Sequence, residues 1–244
     1  AWHSHGGMVV LATGGLGLYA EEGKDVRWLR AGDVVEIPAG VRHWHGAAPG
    51  SWFGQIVIWD SEWNPDDGAP APAAVTDKEY IAAVRSITPP PPAPLRDTIF
   101  PAASERVKKD VFTGAIRLST LVAENNSAGI PGGLHHVAFD PGVVNNWHRH
   151  EGGQVMIATD GIGLHQIEGG PVEILLPGQV ALCPPGGKHW HGAAPGKAFS
   201  HLVSRCDKNR SSVEWLDPIS NAEQASAKTA FDDFISKQKT TTIP

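Results

Sequence analysis

One octapeptide, HWHGAAPG, occurs twice in the chain, at residues 43–50 and again at residues 189–196. The offset of 146 residues that aligns these stretches also aligns LATGGLGL at residues 11–18 with IATDGIGL at residues 157–164. Internal similarity that holds at one offset over so much of a chain indicates a duplicated structural unit. The chain therefore has to fold as two copies of one unit, each with two histidines around a tryptophan.

The stretch between the two copies is rich in proline and reads TPPPPAP from Thr88. A proline run is stiff and cannot join a sheet ladder, so it predicts a linker at residues 88–96. We therefore divide the chain into a first domain at residues 1–87 and a second domain at residues 97–244. Each copy ends in a capping-box sequence that predicts a short helix after it, TDKE at residues 76–79 and SNAE at residues 220–223.

The two copies themselves read as blocks of short β-strands. Apolar runs are bounded by glycine or proline, as at residues 54–59 and 180–183, and the chain contains 28 glycines and 20 prolines. This pattern predicts an all-β fold of the sandwich, barrel or jelly-roll type, with one small barrel in each copy. The first copy is shorter than the second on its N-terminal side, so we expect the first barrel to be truncated there.

Composition argues against several classes of partner. The net charge is −6 with no basic cluster, which disfavours nucleic acid, and no apolar run approaches the roughly 18 residues that a membrane helix needs. Cys183 and Cys206 form no metal-binding or disulfide pattern and are expected to be buried free thiols. The chain begins within a motif at Ala1, so we expect residues upstream of it. The cytoplasm is the default location, and an upstream signal peptide remains open.

Histidines in the second copy have the spacing of metal ligands. His148 and His150 are two residues apart, which places both side chains on one face of a strand, and Gln154 follows four residues later. His189 and His191 repeat the spacing of two residues. Imidazole nitrogens and amide oxygens both bind first-row divalent metals. We therefore predict a metal site built from His148, His150, Gln154 and His189.

The spacing in the second copy resembles the two sequence motifs of the cupin superfamily. Residues 142–161 read G-x5-H-x-H-x3-Q-x6-G, like the first motif, and residues 178–189 read G-x5-P-x-G-x2-H, like the second. The family pattern has a glutamate in place of Gln154 and an asparagine near Ala193. The resemblance implies a double-stranded β-helix, or jelly roll, with its metal deep in the barrel. Because both copies carry it, the chain is similar to a bicupin.

The first copy carries a weaker version of the same site. His3, His5 and His43 take the three histidine places, but Met8 stands where the fourth ligand should be. A thioether sulfur is a poor ligand for Mn²⁺ or Fe²⁺. The pattern leaves two interpretations open, a barrel with only a structural role or a three-histidine site completed by water.

Three further histidines of the second copy are candidates for proton transfer. His191 follows the last predicted ligand by two residues, His201 lies on the next predicted strand, and His135 alternates inward on an earlier strand. Several histidines around one cavity favour a site that handles protons. His136 and His165 receive no functional role, because strand parity turns the first outward and the second has no partner that the sequence reveals.

A closer resemblance links the second copy to bacterial cupin hydroxynitrile lyases. The similar stretches are residues 112–114, residues 147–154, residues 188–195 and His201. The resemblance implies a divalent metal, Mn²⁺ in those lyases with Fe, Zn or Ni as further options, and a cyanohydrin as the small-molecule substrate. His191 or His201 would then protonate or hold the departing cyanide. The chain departs from these single-domain lyases by its duplication, and also by His135 and Arg205, at positions expected to line the pocket.

Two other functions remain open at the level of sequence. One is an Fe-dependent dioxygenase similar to the quercetinase group of bicupins, which would bind substrate and O₂ together. The other is a non-catalytic bicupin that binds a small ligand or a sugar, because one fold hosts many functions. For the assembly we expect a homodimer, since a truncated first barrel would leave strand edges that need cover.

Overall fold

The computed structural model describes residues 1–59, 71–88, 90, 98–101, 105–206 and 213–241. These residues form two compact units. Unit 1 consists of Ala1–Phe100 together with Glu124–Ile130, and unit 2 consists of Pro101–Ala123 together with Pro131–Pro244. Most of the proline-rich linker predicted at residues 88–96 lies outside the described residues.

Unit 1 is built around one long strand. Its strands are β1 (Met8–Glu21), β2 (Arg27–Arg30), β3 (Val34–Ile37), β4 (His43–Ala47) and β5 (Phe53–Trp59). The first half of β1 pairs with β3 and β5, and its second half pairs with β2 and β4, always antiparallel. The backbone turns at Gly15, which has a φ of 67° and where a Cβ would lie 1.9 Å from the carbonyl oxygen of Trp52. Only glycine fits there, because any other residue would meet both the left-handed backbone and that carbonyl.

A helix, α1 (Asp77–Ser86), closes unit 1 on the side of Trp44. It begins at the predicted capping box: the Thr76 hydroxyl accepts from the Glu79 backbone N–H at 3.2 Å, and the Glu79 carboxylate accepts from the Thr76 N–H at 2.7 Å. Tyr80 and Val84 then pack against Trp44. The tryptophan between the two histidines of the octapeptide is thus a packing residue in unit 1.

Unit 2 contains two antiparallel sheets. The strands are β6 (Val107–Lys108), β7 (Ala115–Val122), β8 (Leu134–Phe139), β9 (His148–His150), β10 (Gln154–Gly161), β11 (Gly163–Ile167), β12 (Glu173–Leu175), β13 (Val180–Cys183), β14 (His189–Ala193), β15 (Phe199–Arg205) and β16 (Val213–Trp215). One sheet has the order β13-β10-β15-β8-β7-β6, and the other has the order β12-β11-β14-β9-β16. The prediction of an all-β jelly roll is confirmed.

The two sheets of unit 2 share one apolar core. Phe139, Met156 and Phe199 of the first sheet pack in the same cluster as Leu175 and Ala193 of the second. Burial of this apolar surface is what holds the sheets face to face. The core fills one part of the barrel, and the histidines of β9 and β14 fill another.

A second helix, α2 (Asn221–Thr241), covers the outer face of the five-stranded sheet. Its Ala227 and Phe231 pack against Leu164 and Trp190, whose indole is completely buried. Trp190 therefore occupies the face of β14 opposite to its two neighbouring histidines. Among the described residues, no helix is long and apolar enough to cross a membrane.

The glycine that ends β10 should be far more sensitive to substitution than another glycine with the same backbone. Gly161 and Gly196 have φ angles of 74° and 68°, but a Cβ at Gly161 would lie 2.0 Å from the Ala198 carbonyl oxygen, whereas a Cβ at Gly196 meets nothing within 4 Å. Gly196→Ala should cost about 1 kcal/mol of backbone strain. Gly161→Ala should cost more than about twice that, measured as the shift in urea midpoint. Equal shifts for the two variants would contradict the close approach.

Candidate metal centres

The strand pairing of unit 2 brings the predicted ligands together. His148 and His150 both face inward from β9 and are buried, while Arg149 between them is exposed and pairs with Glu214. β14 runs antiparallel to β9, with His189 directly opposite His148 and their ring centroids 4.2 Å apart. The histidines spaced two residues apart therefore lie on the same, inward face of the adjacent strands β9 and β14.

Backbone carbonyls set the tautomer of two of these histidines. His148 Nδ1 donates to the Asn146 carbonyl oxygen at 3.0 Å, and His189 Nδ1 donates to the Gly187 carbonyl oxygen at 2.9 Å. A carbonyl can only accept, so the proton lies on Nδ1 and the lone pair on Nε2. Such a bond orients the ring and leaves Nε2 ready to bind a metal.

The side-chain amide of Gln154 lies between the rings of His150 and His189. Its Oε1 is 3.2 Å from His189 Nε2, and its Nε2 is 2.8 Å from His150 Nε2. Burial lowers the pKa of His189 to about 4, so this ring is neutral at pH 7. In this orientation an amide oxygen and an imidazole lone pair face each other with no proton between them. A divalent cation between the two atoms would resolve that contact, so the residues present fit a metal.

Three histidines of unit 2, not all of them predicted ligands, have ring nitrogens close together. Ring nitrogens of His148, His189 and His191 all fall within 4.8 Å of one another. Two members of this trio, His148 and His189, are among the four predicted ligands. The other two predicted ligands, His150 and Gln154, contact each other and adjoin His189 through the amide.

The other predicted site histidines lie on neighbouring strands. His191 and His201 are both fully buried with ring centroids 4.9 Å apart, and burial lowers the pKa of His201 to about 3. The His201 ring packs beside Phe139 and Phe199, with ring centroids 5.7 and 5.4 Å away. The structure places His135 on β8, half-buried, with Nδ1 at 3.2 Å from the Thr120 hydroxyl. The strands thus bring His201 against His191, whose own ring centroid lies 5.2 Å from that of His148.

Unit 1 contains a similar cluster. His3, His43 and His45 have ring nitrogens within 4.8 Å of one another, and His5 Nε2 lies 3.1 Å from His43 Nε2. His43 Nδ1 donates to the Val41 carbonyl and His5 Nδ1 to the Gly6 carbonyl, so both Nε2 atoms carry lone pairs. Two facing lone pairs are unfavourable unless a cation or proton lies between them. The first copy therefore also has donors suited to a metal, although Met8 at the fourth place is a buried thioether.

About half of the chain is similar to known proteins over nearly their whole length. The (R)-mandelonitrile lyase of Granulicella tundricola is 39% identical over 121 residues, which cover 50% of this chain and 91% of that protein. A cupin-like protein from Thermotoga maritima is 35% identical, covering 53% of this chain and 96% of that one, with a TM-score of 0.48. No protein-family model matches the chain. The chain belongs to the cupin superfamily.

A structure of Bacillus subtilis oxalate decarboxylase extends the likeness of fold over both units of the cupin chain. The match covers 88% of this chain and 66% of the oxalate decarboxylase chain, with a TM-score of 0.53 and 14% identity. At this identity the likeness concerns the fold alone. Together with the two histidine clusters, these relatives support a metal-dependent cupin enzyme.

Sequence reasoning missed the partners of His165 in this cupin. His165 Nδ1 lies 2.8 Å from the Glu173 carboxylate and its Nε2 lies 3.4 Å from Cys183 Sγ, so the ring links a half-exposed acid to a buried thiol. Burial raises the pKa of Cys183 to about 12, so the thiol stays protonated. Cys206, expected to be buried, is exposed. The Glu173 contact depends on the register of β11 with β12, and the Cys183 contact depends on how the two sheets pack face to face, and no motif predicts either of them.

Two more buried residues make contacts that the sequence does not predict. His136 was expected to face outward, and it does lie on the opposite face of β8 from Val137, but it is fully buried there with Nε2 at 3.3 Å from the Thr159 hydroxyl. Parity predicts the face of a strand and not what covers it. Asn145, which no motif marked, is buried and bonds the ring of His191.

The metal-free protein should lose stability as the pH falls below 6.5. Burial lowers the pKa of His201 to about 3, whereas an unfolded histidine has a pKa of about 6.5. Between these values the unfolded state binds more protons, so stability rises with pH, by about 1.4 kcal/mol per pH unit for each such histidine. Urea midpoints at a series of pH values measure this slope. His201→Leu should reduce it, and an unchanged slope in that variant would contradict the buried neutral ring.

We expect the chain to bind two divalent ions, with the weaker site in unit 1. Gln154 supplies an oxygen in unit 2, whereas Met8 supplies only a thioether at the corresponding place. Elemental analysis during stepwise removal by a chelator should show one equivalent lost before the other. His43→Ala should abolish the weak site and His148→Ala the tight one. A wild-type chain with one ion, unaffected by His43→Ala, would leave unit 1 without a metal.

Proposed function

We propose that this cupin is a divalent-metal-dependent lyase that cleaves a cyanohydrin to a carbonyl compound and hydrogen cyanide, and forms it in the reverse direction. The observation that carries the proposal is the buried pair His191 and His201 beside the candidate ligands of unit 2. The relative described as an (R)-mandelonitrile lyase supports the same class of reaction. In unit 1, Gln55 pairs with β1 where His201 pairs with β10, so we assign the reaction to unit 2.

The ligand set determines what a bound ion would contribute. Held by His148, His150, Gln154 and His189, a divalent ion would supply Lewis-acid activation of the substrate hydroxyl, with its full +2 charge because Gln154 is neutral. We propose Mn²⁺, which suits a set of nitrogen and oxygen ligands. Bacillus subtilis oxalate decarboxylase, which shares the fold, has Mn(II) centres.

We assign to His201 the role of accepting the hydroxyl proton of the substrate. Its pKa is lowered to about 3 by burial, so the ring is neutral and keeps one nitrogen lone pair. Neither ring nitrogen of His201 has a hydrogen-bond partner among the described residues, so both are available to a substrate. As the proton moves to His201, the carbon–carbon bond to the nitrile breaks, its electron pair leaves with cyanide, and the carbonyl forms.

We assign to His191 the role of holding the departing cyanide. Its Nδ1 is buried and has no hydrogen-bond partner among the described residues. An N–H at this place would stabilise the negative charge that develops on cyanide. The proton held by His201 then passes to cyanide, which leaves as hydrogen cyanide and restores the neutral ring. Phe139 and Phe199 beside His201 make the surroundings of its ring apolar.

His201→Gln, which introduces the residue found at the equivalent place in unit 1, should lower kcat for mandelonitrile cleavage by about 10²- to 10³-fold, because the proton acceptor is lost. Release of benzaldehyde measures the rate. The metal content should stay at the wild-type value, because we do not place His201 among the ligands.

The wild-type protein decides between the proposal and the alternatives. If the Mn²⁺-loaded chain neither cleaves nor forms mandelonitrile, the cyanohydrin assignment is wrong. Oxygen uptake with a catechol or a flavonol would instead identify a dioxygenase. Ligand binding without turnover of any of these compounds would point to a binding protein.

A further inference from the structure

Asn145 is the residue of unit 2 most closely attached to His191. It is buried, with 2% of its surface exposed, and three hydrogen bonds join it to that one residue. Its backbone N–H donates to the His191 carbonyl at 3.0 Å, its Oδ1 accepts from the His191 N–H at 2.9 Å, and its Nδ2 lies 3.0 Å from His191 Nε2. So many bonds between two residues fix both the backbone and the ring.

The orientation of the Asn145 amide follows from these bonds. A backbone N–H can only donate, so the side-chain atom that faces the His191 N–H has to be the oxygen. The NH₂ group then faces the imidazole and can only donate to it. The usual ambiguity of amide orientation is therefore removed by the network itself.

This orientation has one consequence for the ring. His191 Nε2 has to offer its lone pair to the Asn145 NH₂ group, so the proton of the neutral imidazole lies on Nδ1. That nitrogen is fully buried and has no hydrogen-bond partner among the described residues. A buried N–H without an acceptor is costly, and an acceptor atom of a bound substrate would remove the cost.

We propose that Asn145 is a positioning residue that makes His191 a fixed hydrogen-bond donor, excluded from the metal and from the role of base. A ring whose Nδ1 carries the proton and whose Nε2 serves Asn145 has no lone pair left for a cation. The role of His191 toward the leaving group rests on the proposed lyase function, whereas the tautomer of its ring does not. His191 Nδ1–H then holds the departing cyanide, and His201 alone accepts the proton.

The same tautomer distinguishes His191 from the two histidines with which it is grouped by distance. His191 belongs by distance to the trio with His148 and His189. Its lone pair, however, is directed to Asn145, whereas the lone pairs of His148 and His189 are free because their Nδ1 atoms donate to carbonyls. The proposed ligands of the ion are therefore His148, His150, Gln154 and His189, without His191. His191→Gln should keep the wild-type metal content.

The tautomer can be measured directly by nitrogen-15 NMR on the full-length chain with labelled histidine, loaded with diamagnetic Zn²⁺. The signals of His191 are those lost in His191→Gln. We expect the wild-type ring to carry its proton on Nδ1. Asn145→Asp replaces the NH₂ donor by a carboxylate oxygen, which can only accept, and should move the proton to Nε2. Asn145→Ala, which adds no charge, should give a mixture of the two tautomers.

Gln166→Glu is the matched control. It makes the same exchange of amide for carboxylate on the neighbouring strand β11, where the Gln166 oxygen accepts from the Trp190 indole at 2.8 Å, on the face opposite to His191. The control should leave the His191 tautomer unchanged. A wild-type ring protonated on Nε2, or an unchanged tautomer in Asn145→Asp, would overturn the proposal, and the wild-type measurement holds even if a variant fails to fold.

The kinetic consequence separates this proposal from the function on which it rests. Asn145→Asp should lower kcat for cyanohydrin cleavage by about 10²-fold with a much smaller change in KM, because a donor to the leaving group is lost. If the wild-type chain has no such activity, the proposed function fails and the tautomer result still decides the role of Asn145. Full activity in Asn145→Asp with a reversed tautomer would overturn the role that we give His191.

Discussion

The orientation of both histidine clusters depends on one kind of hydrogen bond, from a histidine Nδ1 to the backbone carbonyl two residues before it. The pairs are His148 with Asn146, His189 with Gly187, and His43 with Val41. Because the acceptor is a backbone atom, the bond survives any change of side chain at that position, and the two copies indeed differ there. The geometry of the loop that enters each strand thereby sets which nitrogen faces the cavity.

The same octapeptide in two copies does not give two equal sites, since the residues opposite it differ. Around His189 the barrel places Gln154, His165, Cys183 and His201, and the corresponding places around His43 hold Met8, Tyr19, Ile37 and Gln55. Unit 2 has imidazoles at two of these places, His165 and His201, where unit 1 has Tyr19 and Gln55. Unit 1 keeps the imidazoles and surrounds them mostly with groups that do not exchange protons near neutral pH. Both copies therefore keep a histidine cluster that could hold a metal, but the groups around the two clusters differ.

Periodicity in the sequence was enough to predict the parts of the site that lie along a single strand. The spacing of His148 and His150 predicted a common face, and the turn glycines predicted short strands, because both depend only on local backbone geometry. Partners across strands were a different matter. Glu173 meets His165 through the register of β12 with β11, Cys183 meets it from the facing sheet, and Asn145 meets His191 from a loop. Such contacts are set by how the whole sheet packs, and a single sequence carries no pattern for them.

Charge in the cavity of unit 2 then follows from burial and from the identity of one ligand. Burial lowers the pKa of His189 to about 4 and that of His148 and His191 well below its ordinary value, so these rings are neutral at pH 7. Gln154 adds no charge where the family pattern has a glutamate. A divalent ion would therefore be the main charge in a medium of low dielectric, where its attraction for an anionic group is strong. That balance favours a reaction in which negative charge develops on substrate oxygen and on a leaving anion, with neutral imidazoles as donor and acceptor.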